Sequence, residues 1–544
     1  MKKLFLTAVT LLTAITSGMA CTNLIVGKAA SADGSVIVSY SADSYGMYGY
    51  LCHYPAAVHA EGTWREVYDW ETGRYTGRIP EAAQTYNVIG NINEHQVTIA
   101  ETTFGGREEL VNPEGIIDYG SLIYIALQRA KTAREAIEVM TSLVEEYGYN
   151  SGGESFSIAD PNEVWIMEMI GKGPEQKGAV WVAVRIPDDC IAAHANQARI
   201  RQFPLKDKKN CLYSKDVIKF AREKGYFEGK DAEFDFAAAY CPADFGGLRY
   251  CDARVWSYFN MFVDGMDQYL PWAMGDTSAT PMPLYIQPKQ KVSVRDVQNA
   301  MRDHYEGTPM DITGDLGAGP WSMPYRPSPL SFKVDDKTYF NERPISTQQT
   351  AFTFVSQMRS HLPNAIGGVL WFGTDDANMA VFTPVYCCTN VVPECYKREM
   401  ADAVTFSEKS AFWLFNMVSN MVYPRYSALI GDLKKAQKDA EDTFAQSQPD
   451  VEAKAMELYN DNPPKAVAML TEYTNQMAMA TMRAWGHLAK FLIVKHNDMV
   501  VKPEENGVFK RIETGEAVSP VRPGYPEHFN RRVAGETGER YLMK

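Results

Sequence analysis

The sequence predicts an α+β protein in which strands cluster into antiparallel pairs and helices cover them. Short β-branched, apolar runs bounded by turn residues dominate residues 22–104 and return at 155–186 and 352–371. Helical periodicity is confined to separate blocks, at 119–147 and beyond 407. At 544 residues, 45% hydrophobic and 22% charged, the chain is long and apolar enough for a sizeable core.

Thr22-Asn23-Leu24-Ile25-Val26 reads as the first strand, Ala32-Asp33-Gly34-Ser35 as a turn and Val36-Ile37-Val38 as the start of a second strand. Asn87–Gly90 and Gln96–Thr103 are further β candidates. Leu122, Ile125, Ala126, Ala130, Ala133, Ile137, Met140 and Val144 form one helical stripe. Val164–Met167 and Val180–Ala183 read as two arms of a hairpin. Residues 212–260 mix helix and loop, and 300–335, rich in Pro and Gly, read as a long ordered loop. Phe352–Met358 and Ala365–Trp371 return to strand composition. Residues 407–446 and 449–496 read as two long helices, the second with an apolar face through Leu470, Tyr473, Met477 and Leu488.

Lys2 and Lys3, an apolar run from Leu4 to Ile15, and Ser17-Gly18-Met19-Ala20 have the form of a secretory signal cleaved after Ala20. No later segment approaches the ~20 apolar residues of a membrane helix. The formal net charge is −13, and removing the leader takes away two lysines and no acid. That balance gives no reason to expect nucleic acid or an anionic membrane as partner. Nine cysteines leave an odd thiol in an exported chain. Eight could pair around a free Cys21, or some or all could stay reduced.

Cleavage after Ala20 would place Cys21 first, with a free α-amino group. Such an amine has a pKa of about 7.7–8.0 and can serve as a base for its own side chain. A thiol needs little activation, because some thiolate exists at neutral pH. A hairpin centred near Ala32 pairs residues whose numbers sum to about 64, which sets Cys21 opposite Asp43, a carboxylate able to orient the amine. A cysteine after a signal is also the mark of a lipoprotein, whose lipid would block amine and thiol. Gly18 in place of the usual Leu, and the immediate apolar run Leu24-Ile25-Val26 in place of a polar tether, speak against it.

These residues resemble a known family. Cys21–Lys28, Ala32–Ser35 and Asp43-Ser44 are similar to the start of the secreted cysteine dipeptidases. Those belong to the N-terminal-nucleophile hydrolases, with penicillin V acylase and bile salt hydrolase as distant relatives. Gly90–Gln96, Glu101–Phe104, Ala193–Gln197, Asp252–Trp256 and Glu306–Asp311 continue the likeness. The resemblance implies a four-layer αββα sandwich and amide hydrolysis through a thioester, without metal or cofactor. Cys21 matches the nucleophile, Asp43 the carboxylate at its amine, Asn196 an oxyanion-hole side chain, and Arg254 an arginine near the nucleophile, where a cation would favour thiolate. Tyr40 stands where relatives often carry arginine. Thr103 stands where the acylases carry a second oxyanion asparagine. Both are candidate substrate contacts, and the departures favour the dipeptidase branch. His194, beside Asn196, reads as structural.

The expected organisation is a signal peptide (1–20), a catalytic domain (21–400), a helical region packed on it (401–497) and a polar tail (498–544). The expected function is an exported dipeptidase, periplasmic or extracellular, acting on small peptides, with a homo-oligomer left open. An acylase of other linear amides and a non-catalytic surface lipoprotein are the alternatives. No G-x-S-x-G, H-E-x-x-H or C-x-x-C occurs, which weighs against serine-hydrolase, zinc-peptidase and zinc-ribbon chemistry.

Overall fold

The computed structural model describes residues 20–543. The expected leader, apart from Ala20, lies outside the described residues. Ten principal strands are β1 (Asn23–Val26), β2 (Val36–Asp43), β3 (Thr98–Gly105), β4 (Gly153–Ala159), β5 (Val164–Gly171), β6 (Ala179–Arg185), β7 (Ile191–His194), β8 (Thr350–Met358), β9 (Gly368–Thr374) and β10 (Thr383–Tyr386). A seven-stranded sheet runs Tyr285–Ile286, β7, β1, β2, β8, β9, β10. An eight-stranded sheet runs Cys211–Tyr213, β6, β5, β4, β3 and then three short strands, Ile92–Asn93, Val88–Ile89 and His53–Tyr54. Neighbours pair antiparallel, and the hairpin arms expected at Val164–Met167 and Val180–Ala183 meet with Met167 opposite Ala183.

The turn between β1 and β2 is held by Asp33, whose Oδ1 accepts from the Ser35 amide at 3.0 Å and the Ser31 hydroxyl at 2.8 Å. Gly34 takes φ 76°, a conformation that glycine adopts without strain. The register sets Ile25 opposite Val38 and Val26 opposite Ile37, with a further bridge from Thr22 to Ser41. That is one residue off the expected pairing. Asp43 is therefore opposite Ala20, whose amide donates to the Asp43 carbonyl at 3.0 Å.

The two sheets meet face to face over an apolar layer that includes Val36, Val38 and Tyr40 from one and Ala100, Ile166, Ile170 and Val182 from the other. Thr98 donates to Ser356 across the gap at 3.0 Å. On its other face the eight-stranded sheet buries Ile99, Phe156, Ile158 and Trp165 under two helices, α1 (Tyr119–Arg129) and α2 (Ala133–Tyr147). The sequence reads these as one helix. The structure divides them because Thr132 is an N-cap, its hydroxyl accepting from the Glu135 amide.

Helix α3 (Ala253–Phe262) packs on β7, and its Tyr258 hydroxyl donates to the Ile25 carbonyl at 3.2 Å. Beyond residue 410 come α4 (Ala411–Val422), α5 (Tyr426–Asp461) and α6 (Pro463–His496). Two helices were expected with a boundary near 448. Instead α5 carries Pro449 within it, and the chain breaks at Asn462-Pro463, where proline suits a first turn. The α6 helix lies along β10, Trp485 stacks on Phe415 with centroids 4.6 Å apart, and Glu452 of α5 pairs with Arg359 at 2.6 Å. The last segment holds a short hairpin (Glu504–Glu505 with Val508–Phe509) and a helix at Glu527–Thr537. The region expected as a loop carries an exposed hairpin, Ser331–Val334 with Lys337–Phe340. Among the described residues no helix is long and apolar enough to cross a membrane.

Candidate active site

The site forms where β1 begins. Cys21 precedes β1 and is fully buried, as are Asp43 at the end of β2 and, within about one per cent, Glu101 on β3. The Cys21 thiol donates to Glu101 Oε1 at 3.5 Å and lies 3.5 Å from the Tyr40 hydroxyl, which itself donates to Glu101 Oε1 at 2.6 Å. Burial pushes the thiol well above its ordinary pKa, helped by the carboxyls of Glu101 and Asp43 and opposed by hydrogen bonds from Tyr40 and the Asp43 backbone. In this state the sulfur holds its proton.

On the other side of Cys21 stands a buried ion pair. Arg343 Nη2 pairs with Asp43 Oδ2 and also donates to the Ala20 carbonyl at 2.5 Å. Thr350 donates to Asp43 Oδ1 at 2.6 Å and Ser41 to Oδ2 at 3.1 Å. Burial raises the Asp43 pKa, and the Arg343 guanidinium opposes that rise. Arg254 Nη1 donates to the Cys21 carbonyl at 2.5 Å and to Thr22 Oγ1 at 2.7 Å, so the carbonyls before and after the Cys21 α-carbon are each held by an arginine.

Arg254 comes from the first turn of α3. Its Nη2 donates to the Ala195 carbonyl and to Asn196 Oδ1, both at 3.0 Å. It therefore meets the carbonyl oxygen of Cys21 and not its sulfur, which differs from the expectation of a cation favouring thiolate. Burial lowers the Arg254 pKa to about 10, and neighbouring Arg343 adds to that. Asn196 follows β7 with φ 65°, a left-handed conformation that asparagine tolerates. Its Nδ2 donates to the Thr103 carbonyl at 2.7 Å. The Thr103 hydroxyl is turned to Glu154 Oε1, 2.7 Å away. His194 bridges Thr102 and Ser157, at 2.7 Å each, and burial lowers its pKa to about 3, so it is a neutral structural pin.

Of the six residues singled out from the sequence, Cys21, Tyr40 and Asp43 gather at one point. Arg254 reaches it through the Cys21 carbonyl, Asn196 through Arg254, and Thr103 through Asn196. Sequence reasoning missed Arg343, which follows an exposed hairpin and lies in no motif, and Glu101 with Glu154. Glu101 belongs to a block similar to the dipeptidases, so its position was marked, but nothing in the chain order ties it to Cys21. A cavity of about 710 Å³ adjoins the site, lined by Ser44, Met47, Glu71, Phe352, Phe354 and Arg398 among others. Phe352 and Phe354 are the rings that pack on Tyr40, with centroids 5.7 and 5.5 Å away. All nine cysteines carry free thiols. Among the described residues no group of three acidic, histidine or cysteine side chains is placed to hold a metal ion.

The site thus sets a buried thiol at the head of a central strand, with Tyr40 and Glu101 against the sulfur and Arg254 and Arg343 on the backbone carbonyls around it. Comparison with known proteins gives the class. Residues 20–439 match Peptidase family C69, and the chain belongs to that family of peptidases. It is 29% identical over 409 residues to a probable dipeptidase of Salmonella dublin, covering 71% of this chain and 85% of the relative. A probable dipeptidase of Latilactobacillus sakei is 27% identical over 480 residues, covering 84% and 92%. Dipeptidase A of Lactobacillus helveticus is 25% identical over 439 residues, covering 76% and 84%.

Proposed function

We propose that this chain is an exported dipeptidase that cleaves its substrate through a thioester on Cys21, after removal of the residues before it. The observation that carries the reading is the cage around Cys21. Its thiol faces Tyr40 and Glu101, while the residue before it is held by its amide on the Asp43 carbonyl and by Arg343, paired with the Asp43 carboxylate, on its carbonyl. The names of the similar proteins support the substrate class. The facing antiparallel sheets with helices outside them support the N-terminal-nucleophile sandwich implied by the resemblance.

In this reading the free amine of Cys21, oriented by Asp43, takes the thiol proton directly or through a water. The thiolate adds to the peptide carbonyl of the dipeptide. Asn196, fixed by Arg254 and Thr103, donates to the oxyanion with backbone N–H groups. The C–N bond breaks, the departing amino acid takes the proton, and water then releases the first amino acid from sulfur. Arg254 holds the Cys21 carbonyl and so fixes the nucleophile's backbone.

The test is the intact mass and N-terminal sequence of the protein from its native compartment, followed by a substrate panel. An unmodified N-terminal Cys21 and turnover of dipeptides, with N-acyl amino acids, penicillin V and conjugated bile salts left intact, is the expected result. Hydrolysis confined to the acylated compounds would move the chain to the acylase branch. A lipid mass on Cys21 would end the catalytic reading at this residue.

A further inference from the structure

Glu101 and Glu154 are a buried acidic pair that the mechanism above does not use. They lie on neighbouring strands, Glu154 directly opposite Thr103 and Glu101 two residues along, which makes them diagonal neighbours on one face. Both are fully enclosed, with exposures of 1% and 0%. Their carboxyl groups are in hydrogen-bond contact with each other, and among the described residues no lysine, arginine or histidine forms an ion pair or hydrogen bond with either. The Oε2 oxygen of each accepts from no hydroxyl, amide or cationic group. Burial raises Glu101 to about 7 and Glu154 well above the carboxylate range, which fits two carboxyls sharing one proton and carrying one negative charge between them. A buried charge of this kind is held at a cost unless a cation meets it.

The distances say which cation. Glu101 Oε1 is 3.5 Å from the Cys21 sulfur. In a peptide whose first carbonyl is attacked by that sulfur, the α-nitrogen lies about 2.5 Å from the carbonyl carbon, from the N–Cα and Cα–C bonds and their angle. With the peptide turned so that this nitrogen is on the Glu101 side of the sulfur, its ammonium group comes within hydrogen-bond reach of the carboxylate. We propose that Glu101, backed by Glu154 and flanked by Tyr40, receives the substrate's α-ammonium group, so that only peptides with a free N-terminus are acylated onto Cys21. The inference rests on the reading of Cys21 as nucleophile. It also gives binding a chemical consequence. The carboxyl of Glu101 helps hold the thiol protonated, and a bound ammonium offsets that charge, so the substrate itself eases thiolate formation.

The test compares alanyl-alanine with propionyl-alanine, which has the same shape without the ammonium group. With wild-type enzyme, kcat/KM for the desamino compound should be at least ~100-fold lower. In Glu101→Gln the loss should fall on alanyl-alanine, mainly as a raised KM, while propionyl-alanine should not slow, because the lost carboxylate no longer helps hold the thiol protonated, so that the discrimination collapses. Glu154→Gln should act in the same direction and more weakly, and thermal unfolding of both variants reports that they fold. Equal losses of kcat on both substrates in Glu101→Gln would overturn the proposal and make Glu101 a group acting on the thiol alone. Equal rates for the two compounds with wild-type enzyme would overturn it as well. If the wild-type enzyme cleaves neither, the dipeptidase reading fails, and calorimetry on Cys21→Ala still decides this one. Alanyl-alanine bound at least ~10-fold more tightly than propionyl-alanine supports the anchor, and equal affinity ends it.

Discussion

Arg343 joins the carboxylate of Asp43 to the carbonyl oxygen of Ala20 through a single nitrogen, so one guanidinium group organises both the candidate amine-orienting acid and the peptide bond before the candidate nucleophile. Both partners are buried, Asp43 fully and Arg343 to within 4%. Removing one partner of such a pair strands the other charge. Arg343→Met is expected to destabilise the fold by about 3–5 kcal/mol, whereas adding Asp43→Asn to it should restore most of that loss. Thermal or urea unfolding of the single and double variants checks both statements.

Replacing Cys21 by alanine removes a side chain that makes only long hydrogen bonds, so the fold should persist while turnover falls by more than ~10³-fold. Serine at the same place keeps the shape but lacks the readily formed thiolate and should recover little. Dipeptide turnover, alongside unchanged circular dichroism, measures this. Wild-type rates in Cys21→Ala would move the chemistry elsewhere in the molecule.

The strands near the site were legible because their signal is local. Leu24–Val26, the Asp33-Gly34 turn and Val36–Val38 set a hairpin whose register was read to within one residue, and that residue matters. It moves Asp43 from Cys21 to Ala20, so its backbone carbonyl takes the Ala20 amide and its carboxyl reaches the Ala20 carbonyl only through Arg343. The adjacency of Glu101 and Arg343 to Cys21 was not legible, since they lie 80 and more than 300 positions away in the chain and meet it only when the two sheets and the loop before β8 come together. The Thr132 cap and the helical passage through Pro449 were missed for the opposite reason. A local signal, a continuous apolar stripe in one case and a proline in the other, was overridden by a side-chain cap and by tertiary packing.

The helices after residue 410 read as part of the same folding unit as the sheets. Trp485 is fully buried and stacked on Phe415, and Glu452 and Glu441 of α5 pair with Arg359 and Arg302 outside the helical region. Trp485→Ala is expected to destabilise by about 3–5 kcal/mol through the cavity it leaves. The unfolding transition should stay single, with helix and near-ultraviolet signals moving together. Two separated transitions would show a helical module that unfolds by itself.

The Glu101–Glu154 pair also predicts how stability depends on pH. Glu101 faces Glu154, Tyr40 and Cys21, with Glu71 close enough to raise it further, and Tyr119 stands nearby with its hydroxyl donating to Glu71 at 3.2 Å. None of these is a cation. The ordinary glutamate pKa is 4.5, and in the fold Glu101 rises to about 7. Below the ordinary value, folded and unfolded chains both hold the proton, and the contribution is fully present. Between that value and about 7 the unfolded chain has released a proton that the folded chain retains, so stability falls as pH rises, by on the order of 1–3 kcal/mol, and levels off above. Glu154, pushed up in the same direction, extends the decline to higher pH. The double variant Glu101→Gln with Glu154→Gln cannot titrate here. Urea unfolding at pH 5 and pH 8 should show the wild-type protein losing stability relative to the double variant as pH rises. A gap between the two proteins that stays constant with pH would mean that the pair is already ionised in the fold and has found its countercharge within the protein.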